Sequence, residues 1–504
     1  MAQRDYDLNL KANVFPMLSE QRGVTTIGSA PADTGGDRQE PGVAYCHNVM
    51  PSTYGLDSIG YTDRVPAVAP AVTDFSDVRV VYGNARSRLY LAWTATGSVY
   101  ALPSGASVWV AVVATVPATG GVGFSTEDIT IGTVNGISYI YYQGVGAFMY
   151  NESTGVLDSV TLVGISLVNT LGIVAASGYL IAYTAQAIAW SSTIDPADFV
   201  PSAVTGAGGG NVAGIGGKIL FMLTNPLGFI IYTATNAIAA SYTGNIQYPF
   251  KFRPIDDSKG GISLDKIAYE DDAAKQYAFS KAGMQTVNSQ RAEVLLPELT
   301  DFLAGKIFED FDEGTNILST TILTSTMLKK VKLVASRYLI ISYGISSYTH
   351  AFIYDIALQR LGKVKLTHVD CFEYVATQGE ISKETIGFLL SSGQVQTLDF
   401  STPGGDAGVL ILGRLQAAYN KMMTLHEVFI ENTGVTDTLA VYTRASLDGK
   451  NVSSTVVGYL ADSEEGTRNY KFRTAAVSHS LLFVGKFNLV GTSIRYVPTG
   501  RIRR

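Results

Sequence analysis

Cysteine is scarce in this chain of 504 residues, which contains only Cys46 and Cys371. Two cysteines are too few for a disulfide framework or for a complete set of cysteine ligands around zinc. Free cysteine is among the residue types that are most often buried in folded proteins. We therefore expect both residues to be reduced, buried thiols.

Long apolar runs are also missing. The longest one, Val108 to Val116, is far shorter than the roughly 20 residues that a membrane-spanning helix needs. Near the N-terminus, Asp5 and Asp7 stand where a signal peptide would have its apolar segment, so no secretory signal is predicted. We expect a soluble protein that is made in a cytoplasm and is not inserted into a membrane.

Charged residues make up only 16% of the chain, and the net charge is −6. This balance provides no basic field of the kind that attracts nucleic acid. The chain also has 28 Tyr and 21 Phe, so its low charge indicates surface that is hidden between the subunits of an assembly. A mildly acidic wall is compatible with a channel that DNA passes without sticking.

Nucleotide-binding motifs fail when their spacing is checked. A phosphate loop ending at Gly217-Lys218 would need a glycine where Val212 stands and a serine or threonine where Ile219 stands. The run Gly208–Ala213 formally fits a dinucleotide fingerprint. It follows no clear parallel strand, however, and it leads into another strand instead of a helix. No cofactor is therefore predicted.

Metal-binding patterns are equally weak. The acidic run Glu309 to Glu313 lacks an aspartate at the fifth ligand position of a calcium loop, where Gly314 stands, and a glutamate at the twelfth, where Thr321 stands. We interpret it as the solvated end of an amphipathic helix. The histidines form no i, i+4 pair; they are His47, His350, His368, His426 and His479.

A catalytic set is not evident either. Asp195 and Asp198 could serve as the paired carboxylates of a glycosidase. Asp195 precedes Pro196 in a turn, however, where an aspartate commonly bonds its own backbone. No serine lies in a nucleophile elbow. The sequence therefore predicts a structural protein that is not an enzyme and has no catalytic, cofactor-binding or metal-binding residues.

What the chain does have is a repeated strand pattern. The stretch Ala187 to Gly210 reads AIAWSSTIDPADFVPSAVTGAGGG: a strand, a turn at Asp195-Pro196 and a glycine run. Short strands rich in β-branched and aromatic residues form four successive groups between residues 77 and 242. Strands that end in an aromatic residue recur at Tyr100, Tyr150, Trp190, Tyr232 and Tyr354, with shorter echoes at Thr286 and Leu398. With these echoes, the spacing is roughly 40 to 70 residues.

Four-stranded units at this spacing are typical of propeller blades. We predict an all-β fold with a β-propeller-like array of short antiparallel blades over residues 71–400. The alternative is a long β-sandwich or two stacked sheets. Pro297 at a first helical position, followed by an apolar face that reaches Phe308, predicts a helical insertion near residues 295–315.

Two further segments flank this array. Residues 1–70 are interpreted either as an extended arm or as a first strand that closes a sheet made by later residues. Ser401 to Gly405 reads as a linker. Residues 401–504 contain about seven longer alternating strands, which predict a C-terminal β-sandwich.

Short phrases in the chain resemble the tail nozzle, or hub, of short-tailed bacteriophages. They are the stretch Ala187 to Gly210 quoted above, the phrase NVMPSTYGLDSIGY at residues 48–61, and the basic ending GRIRR. The resemblance follows the order of parts along most of the chain, except for residues 255–330. It is not a catalytic motif and assigns no active-site residue.

The resemblance implies a homo-oligomeric ring in the virion tail, typically of six subunits, around a lumen that retains the genome and through which DNA leaves. It implies an adaptor or tail-tube protein on one face, tail fibres or spikes at the sides, and only transient, non-specific passage of DNA.

Two other hypotheses remain at this stage. One is a carbohydrate-binding or depolymerising tail propeller, in which Trp93, Trp109 or Trp190 stacks on sugars; core packing is the more common role of tryptophans within apolar strands. The other is a surface adhesin of non-phage origin, against which the lack of a secretion signal weighs.

Overall fold

A computed structural model of the protein describes most of the chain. The described residues are 4–8, 25–26, 43–51, 55–65, 72–114, 129–212, 217–270, 275–280, 283–296, 308–312, 317–321, 330–344, 347–378, 381–399, 407–416, 421–432, 439–448, 452, 454–461 and 467–501.

The N-terminal region contributes six short strands, and most of them pair with strands from much later in the chain. They are β1 (Arg4–Leu8), β2 (Thr25–Thr26), β3 (Val43–His47), β4 (Val49–Pro51), β5 (Leu56–Ser58) and β6 (Gly60–Val65).

The next strands form antiparallel blades of four. Blade 1 is β7 (Phe75–Tyr82), β8 (Arg88–Thr94), β9 (Val99–Pro103) and β10 (Val110–Ala114). Blade 2 is β11 (Ile129–Val134), β12 (Ile137–Tyr142), β13 (Gly146–Asn151) and β14 (Val156–Val160). Blade 3 is β15 (Gly172–Ala176), β16 (Tyr179–Tyr183), β17 (Ala187–Trp190) and β18 (Gly208–Asn211).

Two more blades and a hairpin follow. Blade 4 is β19 (Ile219–Asn225), β20 (Gly228–Thr233), β21 (Ala237–Tyr242) and β22 (Phe250–Pro254). A short 3₁₀ helix (Leu264–Lys266) precedes blade 5, which is β23 (Ile267–Glu270), β24 (Lys275–Ser280), β25 (Gly283–Val287) and β26 (Ala292–Val294). The hairpin is β27 (Phe308–Asp312) and β28 (Ile317–Thr321).

The last two blades contain longer strands. Blade 6 is β29 (Lys330–Ala335), β30 (Tyr338–Gly344), β31 (Tyr348–Asp355) and β32 (Arg360–His368). Blade 7 is β33 (Asp370–Gln378), β34 (Ile381–Leu389) and β35 (Val395–Asp399), and its fourth strand is β6 from the N-terminal region.

Local sequence explains the tight hairpins within the blades. Asn135 and Gly136 connect β11 to β12 with φ of 53° and 77°, and Ser177 and Gly178 connect β15 to β16 with φ of 52° and 85°. Two-residue turns with positive φ at both positions match the right-handed twist of the strands they join. Glycine adopts such angles without steric cost, so these dipeptides fix the register of each hairpin.

The blades form a closed ring. The first strand of each blade lies beside that of a neighbour, including β33 of blade 7 beside β7 of blade 1. β6 pairs antiparallel with β35, so the strand that precedes blade 1 completes blade 7. The predicted propeller-like array is confirmed, and the first-strand role considered for the N-terminal region is seen in β6.

The C-terminal strands form a β-sandwich, as predicted. They are β36 (Gly408–Leu412), β37 (Leu415–Gln416), β38 (Lys421–Asn432), β39 (Leu439–Ser446), β40 (Ser454–Val457), β41 (Tyr459–Ala461), β42 (Thr467–Ala476), β43 (Ser478–Gly485) and β44 (Asn488–Arg501).

One sheet of the sandwich contains β41, β42, β38 and β44, and the other contains β40, β39, β43 and β36. Their inner faces share one apolar core, in which Leu425 and Ile494 of the first sheet pack with Leu410 and Phe483 of the second. N-terminal strands extend both sheets, since β1 pairs with β44 and β3 pairs with β36.

The sandwich is joined to the propeller at blades 6 and 7. β4 pairs with β32 of blade 6 and with β5, and β5 pairs with β44 of the sandwich. One sheet therefore continues from blade 6 into the sandwich. Blade 3 is three blades away from this junction in either direction around the ring, on the opposite side of the propeller.

Some details differ from the sequence-based expectations. Residues 308–312, placed at the end of the predicted helix, form strand β27; residues 297–307 lie outside the described residues, as do the predicted linker and Glu313 and Gly314. The aromatic marker is not uniform either, because Tyr232 lies in the second strand of its blade and Tyr150 in the third.

Candidate interaction surface

Blade 3 has a long loop, residues 191–207, between β17 and β18. Its polar side chains bond the loop's own backbone. The Ser192 hydroxyl accepts the N–H of Ile194 at 3.0 Å, and the Asp195 carboxylate accepts the N–H of Ala197 at 2.9 Å. Such bonds two residues along the chain stabilise turns, so the loop's own sequence sets much of its path.

Buried contacts hold this loop against the propeller. Phe199 is buried between blades 2 and 3; its N–H donates to the Val163 carbonyl at 2.8 Å, and the Val163 N–H donates to the Ala197 carbonyl at 2.8 Å. The indole N–H of Trp190 donates to the Gly206 carbonyl at 2.9 Å. The loop is therefore anchored at its middle and near its end.

Neighbouring loops lie against it. The N–H of Thr193 donates to the Thr205 carbonyl at 3.1 Å, which brings Ile194 close to Val204. A side chain at Gly206 would meet Cγ2 of Ile246, 2.8 Å from the position of its Cβ. Residues 161–171 and 243–249 thus form one continuous surface with the blade 3 loop.

This surface exposes apolar side chains alongside polar ones such as Thr193, Asp195 and Gln247. Seven of its residues are between 47% and 86% exposed, and we call them the apolar loop surface: Val163, Val168, Ile194, Val200, Val204, Ile246 and Tyr248. They expose on the order of 800 Å² together over three loops, and exposed apolar area of this order commonly marks an interaction site. Apolar side chains on a well-anchored loop are what a protein interface requires.

The strand that follows the loop is an exposed edge. β18 consists of Gly208, Gly209, Gly210 and Asn211, and it pairs only with β17 among the described strands. A Cβ at Gly210 would have no atom within 4 Å. The glycine run considered as a dinucleotide fingerprint is therefore a strand, and Gly217-Lys218 leads into strand β19; Ala213 lies outside the described residues.

The paired carboxylates in the loop are used in turns. Asp195 accepts the backbone N–H described above, and the Asp198 carboxylate accepts the N–H of Val200 at 2.9 Å. The prediction that Asp195 bonds its own backbone is confirmed. Because each carboxylate holds the turn that follows it, the pair has a structural use in the loop.

A buried ionic cluster that the sequence pattern did not reveal lies where the ring closes. It contains Asp77 and Arg79 of β7, Lys332 of β29 and Asp370 of β33, with Asp265 at its border. Arg79 Nε lies 3.1 Å from Asp77 Oδ2, and Lys332 Nζ lies 3.5 Å from Asp77 Oδ1. In the sequence, this cluster is indicated only by charged residues that lie within apolar strands, in a chain that has few charged residues.

Asp370 is the centre of this cluster. Its carboxylate binds Lys332, accepts the N–H of Cys371 at 2.8 Å, and accepts the N–H of Val78 at 2.8 Å. One side chain thus links the first strands of blades 1, 6 and 7. All these partners are internal to the fold, which indicates a structural role in closing the ring.

The two carboxyl groups of the cluster differ in acidity. Burial raises the pKa of Asp77 well above its usual value, and the neighbouring Asp370 charge adds to this shift. Burial also opposes ionisation of Asp370, but Lys332, Asp77 and Arg79 outweigh it and lower the pKa of Asp370. The surrounding cations therefore favour ionisation of Asp370 over ionisation of Asp77.

Four histidines are buried, namely His47, His350, His368 and His479. His368 bonds the Leu366 carbonyl at 2.8 Å, and His479 bonds the Met423 carbonyl at 3.1 Å. Burial lowers the pKa of each to about 4. Burial and the nearby Lys363 lower the pKa of His350 to about 2. These three neutral rings belong to the core.

The cysteines and two of the tryptophans are core residues. Cys46 and Cys371 are free and buried, as predicted, and burial raises the pKa of each thiol to about 12. Trp93 and Trp109 are buried and donate to the Tyr142 hydroxyl at 3.0 Å and the Gly393 carbonyl at 2.7 Å. Core packing of these two tryptophans is confirmed.

The described ranges contain neither a metal-binding cluster nor a membrane-spanning helix. No group of three or more His, Cys, Asp or Glu residues there is arranged to hold a metal ion. No helix there is both long enough and apolar enough to cross a bilayer.

Comparison with known proteins gives likeness only to solved structures. No family model and no curated protein matches the chain. YCF48 from Cyanidioschyzon merolae matches with a TM-score of 0.37 and 10% identity, over 67% of this chain and 98% of that protein.

Two further solved structures are similar over the same share of the chain. A catalytically inactive virginiamycin B lyase from Staphylococcus aureus matches with a TM-score of 0.39 and 6% identity, over 68% of this chain and 99% of its own. The WD40 domain of Neurospora crassa Pan2 matches with a TM-score of 0.35 and 8% identity, over 67% and 94%.

Proposed function

We propose that this chain is a structural subunit of the tail nozzle, or hub, of a short-tailed bacteriophage. Six copies form a ring around a lumen that retains the genome and through which DNA leaves. The observation that carries the proposal is the apolar loop surface, in which seven exposed apolar side chains lie on three neighbouring loops. It includes Ile194, Val200 and Val204 of the stretch whose phrase resembles the tail proteins, together with residues of the two neighbouring loops.

The proposed partners follow from the ring. One face binds an adaptor or tail-tube protein, and the sides bind tail fibres or spikes in the virion. DNA passes through the lumen without a specific contact, in keeping with the net charge of −6 and the low fraction of charged residues.

A structural role fits the use of the carboxylates better than catalysis does. A catalytic carboxylate pair must face a space that a substrate can enter. Asp195 and Asp198 each hold a turn of their own loop, and Asp77 and Asp370 are buried against cations of the same fold. We therefore propose a structural role without enzymatic activity.

Mass photometry and electron microscopy of the purified full-length chain test this proposal. We expect a ring with a central opening and a mass six times that of the 53.8 kDa chain. A chain that stays at 53.8 kDa at micromolar concentration, even with a tail adaptor added, would refute it. Loss of viscosity in a polysaccharide solution would instead favour the depolymerising alternative.

A further inference from the structure

The outer edges of the blades are protected in different ways. β10 and β14 pair with each other, and β32 is covered by β4. The remaining outer strands carry charges on exposed or partly exposed residues: Asp63 and Arg64 in β6, Lys251 and Arg253 in β22, and Glu293 in β26. Charge and covering strands are the usual means of preventing unwanted pairing at a sheet edge.

β18 has neither form of protection. It contains three glycines and Asn211, and no described strand of the same chain covers it. The Val212 N–H donates to the Gln186 carbonyl, and hydrogen-bonded pairs alternate along antiparallel strands. The N–H and carbonyl of Gly209 therefore point away from β17. An unprotected edge thus lies directly beside the apolar loop surface.

The sandwich has a second unprotected edge. β40 and β41 lie at the ends of the two sheets, and residues 454–461, STVVGYLA, contain no charge. Val457 is 41% exposed and Tyr459 is 73% exposed. We call residues 454–461 the sandwich edge.

The sandwich edge has a defined path where it crosses between the sheets. The N–H of Gly458 donates to the Val441 carbonyl at 2.8 Å, and the ring of Phe472 lies directly beneath Gly458. The exposed Val457 and Tyr459 are therefore held on either side of a fixed point. Exposed apolar residues near a fixed backbone are suited to docking, because little flexibility is lost on binding.

The two unprotected edges belong to opposite parts of the molecule. The sandwich joins the propeller at blades 6 and 7, and β18 belongs to blade 3, three blades away in both directions. Two different surfaces on opposite sides of one subunit fit a head-to-tail contact, which generates a closed ring when the rotation between subunits closes.

We propose that the sandwich edge of one copy docks on the apolar loop surface and β18 of the next copy. Val457 and Tyr459 cover Val204 and Ile194, and the backbone of the sandwich edge extends blade 3. The loop surface exposes roughly 800 Å², which is the area that each partner contributes to a standard interface. This inference rests on the proposed function, for which it names the subunit contact.

Complementation between two variants tests the contact. Val204→Glu puts a charge on the apolar loop surface and Tyr459→Glu puts one on the sandwich edge. Both residues are more than 70% exposed, so each variant is expected to keep the wild-type melting temperature. Each alone should remain at 53.8 kDa at concentrations where the wild type forms a ring.

Mixing the two variants should give a dimer of twice the chain mass and no larger species. Each variant retains one intact surface, so a head-to-tail contact forms once and then stops. Val294→Glu is the matched control, because Val294 is 67% exposed on β26 of blade 5; this variant should assemble like the wild type.

The outcomes separate this inference from the proposed function. If the wild type forms a ring and either glutamate variant still does so, or if the mixture gives no dimer, the proposed contact is wrong and the ring proposal stands. If the wild type stays monomeric, both are wrong. A ring that forms only when a tail protein supplies a strand to β18 would also overturn the contact between copies.

Discussion

The ring closure buries charged side chains, whereas the blade 3 loop exposes apolar side chains. At the closure, Asp77, Lys332 and Asp370 are almost fully buried. On blade 3, Val204 and Ile194 are 85% and 77% exposed. A folded chain normally keeps charge in water and apolar groups inside, so both regions depart from the common pattern, and each departure needs its own physical reason.

The central carboxylate of the closure is paired within one subunit. Asp370 binds Lys332 of blade 6 and the backbone N–H of Val78 of blade 1, so its burial is compensated and the geometry of three blades becomes coupled. No described part of the same chain covers Val204 and Ile194 in this way. Internal pairing completes the propeller, whereas the loop surface is the part for which we propose a second molecule.

The largest effect is expected from Asp370→Asn. This change keeps the shape of the side chain but leaves the buried Lys332 ammonium without its closest anion. Breaking a buried pair by removing one partner costs about 3–5 kcal/mol. Chemical denaturation should show a loss of that size in the free energy of unfolding. The surface residues of blade 3 should keep their conformation.

An exposed ion pair provides the control for this variant. Asp256 lies 3.6 Å from Arg253, and both side chains are more than 60% exposed. Asp256→Asn should change the free energy of unfolding by less than about 1 kcal/mol, because solvent screens such pairs. Equal losses for the two aspartate variants would mean that the closure cluster does not hold the ring together.

Acid should destabilise the closed fold through its buried histidines. The pKa of His368 and that of His479 are about 4 in the folded chain, below the usual value of 6.5. A lowered folded pKa gives stability that is present above pH 6.5 and is lost as the pH falls towards 4. Going from pH 7 to pH 5 should therefore remove about 2 kcal/mol for each of the two histidines.

Replacing one histidine isolates this effect. The slope of the free energy of unfolding against pH reports the number of protons that the chain takes up on unfolding. Between pH 6.5 and 4, this number should be smaller by about one in His479→Gln. Asp77 acts in the opposite sense, because its folded pKa is raised, so the comparison must be made between variants at matched pH. An unchanged slope would show that His479 is protonated equally in the folded and unfolded chain.

The two unprotected edges differ in how much space surrounds a glycine in each of them, so alanine substitutions there should affect stability differently. A Cβ at Gly458 would lie 2.4 Å from the Phe472 ring, whereas one at Gly210 would have open space around it. Gly458→Ala should lower the free energy of unfolding by about 1–3 kcal/mol through overpacking. Gly210→Ala should be neutral or stabilise by up to about 1 kcal/mol. Thermal melts of the two variants test this difference, and a Gly210→Ala variant that melts lower than Gly458→Ala would contradict it.

Much of the fold could be predicted from the sequence because it depends on local pattern. Blades 1 to 4 follow from apolar alternation and from turn dipeptides such as Asn135-Gly136. The sandwich follows from long alternating strands. The sequence does not distinguish blade 5, and it predicts a helix at Phe308 because apolar residues at helical spacing outweigh the strand signal there.

The sites were harder to predict because they depend on contacts far apart in the chain. Asp77 and Asp370 are 293 positions apart and meet only because the ring closes. In the same way, β6 pairs with β35 across more than 300 residues. The turns at Asp195 and Asp198 could be predicted, since their bonds are local, but the exposure of Ile194 and Val204 requires the neighbouring loops.

The smallest effect should come from the turn that holds the blade 3 loop. Asp195→Ala removes the acceptor of the Ala197 N–H, an exposed bond of 2.9 Å, so the loss of stability should be about 0.5–1 kcal/mol. Asp195→Asn keeps an acceptor oxygen at the same place and should behave like the wild type. If the loop is held by its own turns, hydrogen exchange in residues 191–200 should accelerate in Asp195→Ala only, while exchange at the ring closure stays unchanged. Equal exchange in both variants would mean that Phe199 and Trp190 alone fix the loop, and the apolar loop surface would then depend on core packing and not on its turns.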